Sequence, residues 1–81
     1  MNSSASNDDF RDQLKVLGHT IRKLRKELGV SQEELAHTAQ IDRSHMGKIE
    51  RGERNVSIVN LIRICVALRC NLSDLFIHAG L

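Results

Sequence analysis

Two short helical segments near the middle of the chain each carry their own capping residue, and only three residues join them. Ser31 opens the first segment, and Glu34 three residues later completes a capping box. Asp42 caps the second segment. The predicted helices therefore cover 32–39 and 43 to 50 or 51. Because the connection is too short to reverse the chain into an antiparallel pair, we expect the two helices to cross steeply, as in a helix-turn-helix.

Apolar residues recur at three- and four-residue steps on both sides of this pair, which predicts further amphipathic helices. These are a helix from Asp12 to Leu28 closed by Gly29, a helix after the capping residue Ser57, and a short helix from Asp74 to Ala79 capped by Ser73. The alternation typical of β-strands is lacking, so we predict an all-α domain of five helices over residues 12–81. Residues 1–11 are rich in Ser, Asn and Asp, and we expect them to form a disordered acidic tail.

The length of 81 residues fits one domain. A chain of this size buries only about 60% of the surface that its unfolded form exposes. Its two cysteines, Cys65 and Cys70, are too few for a disulfide-stapled scaffold. No apolar run reaches the length of a membrane span, and the polar N-terminus does not resemble a secretory signal. We therefore expect a cytoplasmic protein that does not contact a membrane and whose thiols are reduced. Because so short a chain buries little surface by itself, we expect it to bury more by forming a homodimer.

The charge is small but unevenly distributed. The formal net charge is +2, and the first 13 residues hold three Asp against one Arg, so the rest of the chain is more basic than the total suggests. A basic domain favours a polyanionic partner. No nucleophile–base pair, glycine-rich phosphate loop or pair of acids stands out, so we expect no enzyme activity, no cofactor and no small-molecule ligand.

The second central helix has an outward face that carries hydrogen-bond donors. Its outward residues are Arg43, Ser44, Gly47, Lys48 and Arg51, and no acid precedes Glu50 on that face. Arg and Lys on such a helix reach guanine O6 and N7, and one helix fits the major groove of duplex DNA. A simple solvated face is the alternative, and the helix-turn-helix spacing favours DNA binding.

Three segments carry a resemblance to a known family, namely SQEELA at 31–36, IDRSHMGKIERGER at 41–54 and LSDLF at 72–76. The run that begins at Leu17 and ends with LSDLF resembles the XRE family of lambda-repressor and Cro-like regulators, and within it the controller proteins of restriction–modification systems. The resemblance implies a lambda-repressor-like domain with the helix-turn-helix at helices two and three. It implies a transcription regulator that binds a palindromic, inverted-repeat operator in double-stranded DNA as a homodimer and, like a controller, activates and represses.

The turn departs from the family pattern at one position. The family usually has glycine there, where φ is positive, and this chain has Gln40. A left-handed residue other than glycine costs roughly 1 kcal/mol, so we expect a slightly strained or differently shaped turn.

The resemblance also implies residue roles. Base contacts fall to Arg43, Ser44, Gly47 and Lys48, DNA-backbone contacts to Gln32, Arg51, Arg54 and Asn55, and a structural ion pair to Arg25 and Glu50. Because a helix N-terminus attracts anions, a phosphate contact at Gln32 is physically reasonable. His45 lies at the side of the same helix, from which it could contact either a base or, alternatively, a phosphate or solvent. We place it with the residues that contact the DNA backbone. If the protein activates, RNA polymerase is a further partner, through Glu33 or Glu34.

Apolar residues near the C-terminus exceed what one short helix can bury. This set comprises Leu72, Leu75, Phe76, Ile77 and Leu81. Part of it, above all Leu72, Leu75, Phe76 and Ile77, is predicted to form an isologous dimer contact together with the end of the fourth helix, the alternative being that these residues only close the core. A metal site at Cys65, Cys70 and His78 is not expected, because a five-residue helical step puts the two thiols on different faces.

Two other functions stay open from the sequence. One is an antitoxin of the same fold, which would bind a protein partner as well as DNA. The other is a protein-interaction module that has lost DNA binding. Retention on duplex DNA that falls steeply with salt would exclude the second alternative, because phosphate contacts release counterions.

Overall fold

The computed structural model describes residues 7–81, with side chains from Phe10 onward. Five helices make up this part of the chain: α1 (Asn7–Glu27), α2 (Gln32–Ala39), α3 (Arg43–Glu50), α4 (Ile58–Ala67) and α5 (Leu72–Ala79). No strand is present between residues 7 and 81. The prediction of an all-α, five-helix domain is therefore confirmed. None of these five helices combines the length and the apolar character that a membrane span requires.

The first helix is longer than predicted. It begins at Asn7 rather than Asp12, so residues 7–11, assigned from the sequence to a disordered tail, are helical instead. Phe10 and Leu14 continue the three- and four-residue steps of the apolar stripe toward the N-terminus, which gives the additional turn an amphipathic pattern. The remainder of the predicted tail lies outside the described residues.

The predicted caps of the central helices are present. The Ser31 hydroxyl accepts the Glu34 N–H at 3.0 Å, and the Glu34 carboxylate accepts the Ser31 N–H at 3.1 Å. At α3, the Asp42 carboxylate accepts the N–H groups of Ser44 and His45. The turn between the helices contains Gln40 at a φ of 58°, so this residue occupies the left-handed region that the family fills with glycine.

The start of α5 corrects the sequence prediction. Asn71 caps this helix, and Ser73, the predicted cap, lies inside its first turn. The Asn71 side chain accepts the Asp74 N–H at 2.8 Å, and the Asp74 carboxylate accepts the Asn71 N–H at 3.3 Å. A reciprocal pair satisfies two backbone donors, whereas Ser73 as cap would place the apolar Phe76 at the reciprocating position.

The core draws on all five helices. The most deeply buried side chains, one from each helix in chain order, are Ile21, Leu35, Met46, Ile64 and Leu75. α2 also contributes the small residues Ala36 and Ala39, whose size permits neighbouring helices to approach closely. Ile41 is buried within the turn, where it fills the corner between α2 and α3.

Two glycines let α1 lie directly against the backbone of α3 and of the residues that follow it. A Cβ atom at Gly18 would lie 2.3 Å from the carbonyl oxygen of Ile49. A Cβ atom at Gly52, where φ is +71°, would lie 2.6 Å from Lys15 Cα. Because real Cβ contacts are not this short, any side chain at either position would separate the two backbones. α1 therefore holds α3 and its C-terminal turn in place.

Candidate nucleic-acid interface

The outward face of α3 forms a shallow cavity together with the start of α2. The cavity has a volume of about 280 Å³ and is lined by Gln32, Arg43, Ser44, Gly47, Lys48 and Arg51. The structure thus brings the four predicted base contacts together with two of the predicted backbone contacts. His45, by contrast, is half-buried at the side of α3 and does not line this cavity.

Gly47 lies deeper than the sequence predicted. It was placed on the solvent-facing side of α3, but it is buried. A Cβ atom there would lie 3.1 Å from Nη1 of Arg51 and 3.4 Å from Oε1 of Gln32. These two side chains therefore cover Gly47, which forms the floor of the cavity and leaves room between them.

A buried ion pair supports this surface. Arg25 is 8% exposed and Glu50 is 6% exposed. Arg25 Nε donates to Glu50 Oε2 at 2.8 Å, and Arg25 Nη2 donates to Glu50 Oε1 at 3.1 Å. The third guanidinium nitrogen, Nη1, donates to the Val30 carbonyl at 3.0 Å. The pair that the resemblance implies is thus present, and it ties α1 to the C-terminal end of α3.

Gln32 extends that network to the start of α2. Its Nε2 atom donates to Glu50 Oε1 at 3.0 Å, so the Glu50 carboxylate accepts three side-chain hydrogen bonds. The sequence predicted that Gln32 contacts a phosphate, but its amide donor is engaged inside the protein. The backbone N–H of Gln32, at the first position of α2, remains the group that can meet an anion there.

Arg51 is paired with a carboxylate that the sequence analysis did not consider. Its Nε atom donates to Glu53 Oε2 at 3.0 Å, and Nη2 donates to Glu53 Oε1 at 3.2 Å. This hydrogen-bonded pair raises the pKa of Arg51 and lowers the pKa of Glu53. Both side chains are more than half exposed, so the pair is weak and a phosphate can replace Glu53. In the sequence, only the separation of two residues between Arg51 and Glu53 indicated that they could pair.

The hydroxyl of Ser44 is engaged at the cap of α3. It donates to the Asp42 carboxylate. This hydrogen bond, followed by the one from the His45 N–H, lowers the pKa of Asp42. Because the hydroxyl hydrogen is used, Ser44 Oγ is left as an acceptor, which suits the amino groups of adenine or cytosine. Nearby, Arg43 Nη1 lies 4.0 Å from the Glu33 carboxylate, with both side chains about two-thirds exposed.

Arg54 and Asn55 are exposed in the connection between α3 and α4. They do not line the cavity over α3 but a second and larger cavity, which they share with residues of α1. Arg51 lines both cavities, so the two are neighbours on one surface. Apart from His45, the predicted base-contacting and backbone-contacting residues therefore form one continuous surface.

The four residues predicted for the dimer contact differ in burial within the single chain. Leu75 is completely buried in the core of its own domain, and Leu72 and Phe76 pack against that core. Ile77 alone of the predicted set is largely exposed, at 73%. The reason is that α5 lies against α1 and α4 and needs most of its apolar residues to cover them.

The helix α4, whose end the sequence assigned to the dimer contact, carries an exposed apolar stripe along its length. Its members are Ile58, Val59, Ile62 and Val66, all of which are exposed. The opposite side of α4 faces the core through Leu61, Ile64 and Cys65. The sequence indicates such a stripe, because α4 has more apolar residues than one helix face can bury.

The two thiols lie together rather than on different faces. α4 ends at Ala67, and Arg69 adopts a left-handed conformation with a φ of 60°. The chain therefore turns back, and the Cys70 N–H donates to the Cys65 carbonyl at 3.0 Å. Burial, and then the hydrogen-bonded Cys70 thiol, raise the pKa of Cys65 to about 12. No group of three or more potential metal ligands is found in the described part of the chain.

Two short capped helices joined by a tight left-handed turn, on a five-helix scaffold, define a helix-turn-helix domain of the lambda-repressor-like kind. The profile of the helix-turn-helix family matches residues 21–75. The chain therefore belongs to the helix-turn-helix family, and the expected XRE-type resemblance is confirmed.

Several relatives are control proteins. The chain is 47% identical over 60 residues to control protein C.MunI of a Mycoplasma species, covering 73% of this chain and 81% of the relative. The crystal structure of the restriction-modification controller protein C.AhdI from Aeromonas hydrophila shares 44% identity at a TM-score of 0.76, covering 78% of this chain and 96% of that one. A third structure is the controller protein C.Esp1396I as a tetramer with its natural 35 base-pair operator. It shares 32% identity at a TM-score of 0.78, covering 84% of this chain and 90% of that one.

Proposed function

We propose that this protein is a sequence-specific, double-stranded DNA-binding transcription regulator that binds an inverted-repeat operator as a homodimer and serves as a restriction–modification controller. The observation that carries the proposal is the cavity over α3. Three of its lining side chains are Arg43, Lys48 and Arg51, and no acidic residue of the described chain lines it. A helix with this face matches the donor requirements of the major groove.

Base recognition is assigned to the first turns of α3. Arg43 is well exposed and only loosely paired with Glu33, so its guanidinium can reach guanine O6 and N7. Lys48 stands one turn further along, and Ser44 offers an acceptor next to Arg43. Gly47, without a side chain of its own, lets Arg51 and Gln32 lie across the floor of the cavity between these groups. Each good contact of this kind contributes about 1–3 kcal/mol of discrimination.

Backbone contacts flank this face. The first N–H groups of α2, beginning at Gln32, point at the position where an anion is favoured by the helix dipole. Arg51 is released from Glu53 when a phosphate takes the place of that carboxylate. Arg54 and Asn55 contact the DNA backbone from the connection that follows, and His45 does so from the side of α3. These contacts set the register without reading sequence.

The dimer is assigned to the apolar stripe of α4 together with Ile77 of α5. A second copy of the chain is the natural occupant, because an isologous contact brings the same apolar patch from each protomer together. The solved assembly of C.Esp1396I on its operator is a tetramer, which supports self-association in this family. A two-fold dimer places its recognition helices about 34 Å apart, in successive major grooves.

If the protein activates transcription, Glu33 and Glu34 are the two candidates for a contact with RNA polymerase, and their hydrogen bonds favour one of them. Glu34 holds the capping box of α2 through Ser31, which uses its carboxylate. Glu33 is exposed and makes only a loose pair with Arg43. We therefore assign the polymerase contact to Glu33. In vitro transcription with Glu33→Ala is expected to lose activation while retaining operator binding.

The proposal is tested by selecting bound duplexes from a random pool and titrating the enriched sequence by fluorescence anisotropy. We expect an inverted repeat. Arg43→Ala should reduce the preference for that sequence over mutated versions, whereas Arg54→Ala should weaken binding to all duplexes by a similar factor. Failure to enrich any duplex, together with no binding to duplex DNA at low salt, would refute the proposed function.

A further inference from the structure

The cavity shared by α1 and the connection from α3 to α4 lies beside the recognition face. It has a volume of about 780 Å³ and is lined by Phe10, Arg11, Leu14, Lys15, Arg51, Gly52, Glu53, Arg54 and Asn55. One wall is the N-terminal part of α1, and the other wall is the connection from α3 to α4. The additional N-terminal turn of α1, which the sequence did not predict, supplies Phe10 and Arg11 to this cavity.

Both walls are positively charged. Arg11 and Lys15 come from α1, and Arg51 and Arg54 come from the opposite wall. The one carboxylate in the lining, Glu53, is already paired with Arg51. Within residues 10–81, neither Lys15 nor Arg54 forms an ion pair. The lining thus holds four cationic side chains against the single carboxylate of Glu53, and this excess of positive charge favours an anionic occupant.

The two walls are held at a fixed separation. Gly52 packs so closely on α1 that a Cβ atom would lie 2.6 Å from Lys15 Cα. This contact anchors the base of the Lys15 side chain to the connection that carries Arg54 and Asn55. A preformed pair of walls binds an anion with less ordering than two independent flexible loops would.

The cavity continues the recognition surface. Arg51 lines both this cavity and the one over α3, so an extended polyanion that lies along α3 passes the mouth of the larger cavity. Phe10 is 52% exposed and Leu14 is half-buried, which gives the α1 wall an apolar part that suits a deoxyribose. Charge, position and apolar surface together fit a sugar–phosphate backbone.

We propose that this cavity binds the DNA backbone and that Lys15 of α1 contacts a phosphate there, opposite Arg54. The inference rests on the proposed function and extends the DNA footprint from the helix-turn-helix to the N-terminal part of α1. We expect the contact to be independent of base sequence, because every nucleotide presents the same phosphate.

The size of the expected effect follows from counterion release. Each phosphate contact contributes about 0.9 to the slope of log affinity against log salt concentration. A two-fold dimer makes the Lys15 contact twice, so Lys15→Gln should lower the slope by about 1.8. The ratio of wild-type to variant affinity should then shrink about twelvefold between 50 mM and 200 mM salt.

The matched control is Lys26→Gln. Lys26 is an exposed lysine on the same helix, and it does not line the cavity. Both variants remove one charge from α1 and are compared by thermal unfolding before binding is measured. We expect a normal salt slope for Lys26→Gln, a lower slope for Lys15→Gln on both the selected operator and an unrelated duplex, and recovery of the slope by Lys15→Arg.

A second measurement identifies the phosphate. Neutral methylphosphonates are placed one at a time along the selected operator, and one position should weaken the wild-type protein but not Lys15→Gln. If Lys15→Gln keeps the wild-type slope, or loses no more than Lys26→Gln, the cavity does not bind the backbone and this inference is overturned. The proposed function survives that result, since it fails only if the wild-type protein does not bind duplex DNA.

Discussion

Replacing Glu50 by Gln should destabilise the fold far more than replacing Glu53 by Gln, although each glutamate holds an arginine through two hydrogen bonds. The two pairs differ in burial. The side chains of the Arg25–Glu50 pair are 10% and 2% exposed, and those of the Arg51–Glu53 pair are 57% and 54% exposed. The comparison therefore isolates the effect of removing the counter-charge from a buried guanidinium.

The magnitude follows from that burial. Glu50→Gln keeps an oxygen that can accept from Gln32 and Arg25, so packing and one acceptor survive while the charge is lost. Leaving one member of a buried pair without its partner costs about 3–5 kcal/mol. The whole free energy of unfolding of a domain this small is about 4–12 kcal/mol. A loss of that size should lower the unfolding midpoint by more than about 12 °C.

Thermal and urea unfolding followed by circular dichroism measure the effect. Glu53→Gln is expected to leave the midpoint almost unchanged, because solvent screens an exposed pair. The double variant Arg25→Met/Glu50→Leu should recover most of the loss, since apolar residues can replace a buried pair. Equal shifts for Glu50→Gln and Glu53→Gln, or no recovery in the double variant, would show that burial of the charge does not determine the stability of this network.

Three other predictions concern the dimer, the thiols and acid stability. Ile62→Glu should yield a monomer by size exclusion with light scattering, and a dimer that persists would remove α4 from the interface. Cys70 should react with a thiol reagent in the folded protein, whereas Cys65 should react only after unfolding, because burial raises its pKa to about 12; equal rates would contradict this. Folding lowers the pKa of Asp42 from 3.8, so the stabilisation by the ionised carboxylate is complete above pH 3.8 and is lost as the pH falls through the lower folded-state pKa. Asp42→Ala should therefore flatten the dependence of the free energy of unfolding on pH in this acidic range. An unchanged pH profile in the variant would contradict the prediction.

Features that depend on neighbouring residues were predictable from the sequence. Ser31, Asp42 and Ser57 cap helices as expected, because a cap and the N–H groups it accepts lie within three residues of each other. At α5 two capping residues compete, and Asn71 prevails over Ser73 because Asp74 can reciprocate. The choice between these two caps also depends only on nearby residues, and the presence of Asp74 three residues after Asn71 could have identified Asn71 as the cap.

Features that depend on how helices pack were not predictable in the same way. Leu75 belongs to an apolar cluster at one end of the chain, and only its neighbours α1 and α4 determine that it is buried. Cys65 and Cys70 were compared as if one helix contained both, whereas the helix ends between them at Ala67. The pairing of Arg51 with Glu53 similarly depends on the conformation of an irregular connection.

The first helix determines the shape of the DNA-facing surface although it carries none of the predicted base contacts. Gly18 places α1 against the carbonyl of Ile49 near the end of α3, and Gly52 places the next turn against Lys15. Arg25 holds Glu50, which in turn accepts a hydrogen bond from Gln32 at the start of α2. Because these contacts are buried or are between backbones, the two ends of the helix-turn-helix cannot move independently of α1. These contacts favour a recognition surface that is already formed in the free protein, so that less of the binding free energy is spent on ordering it.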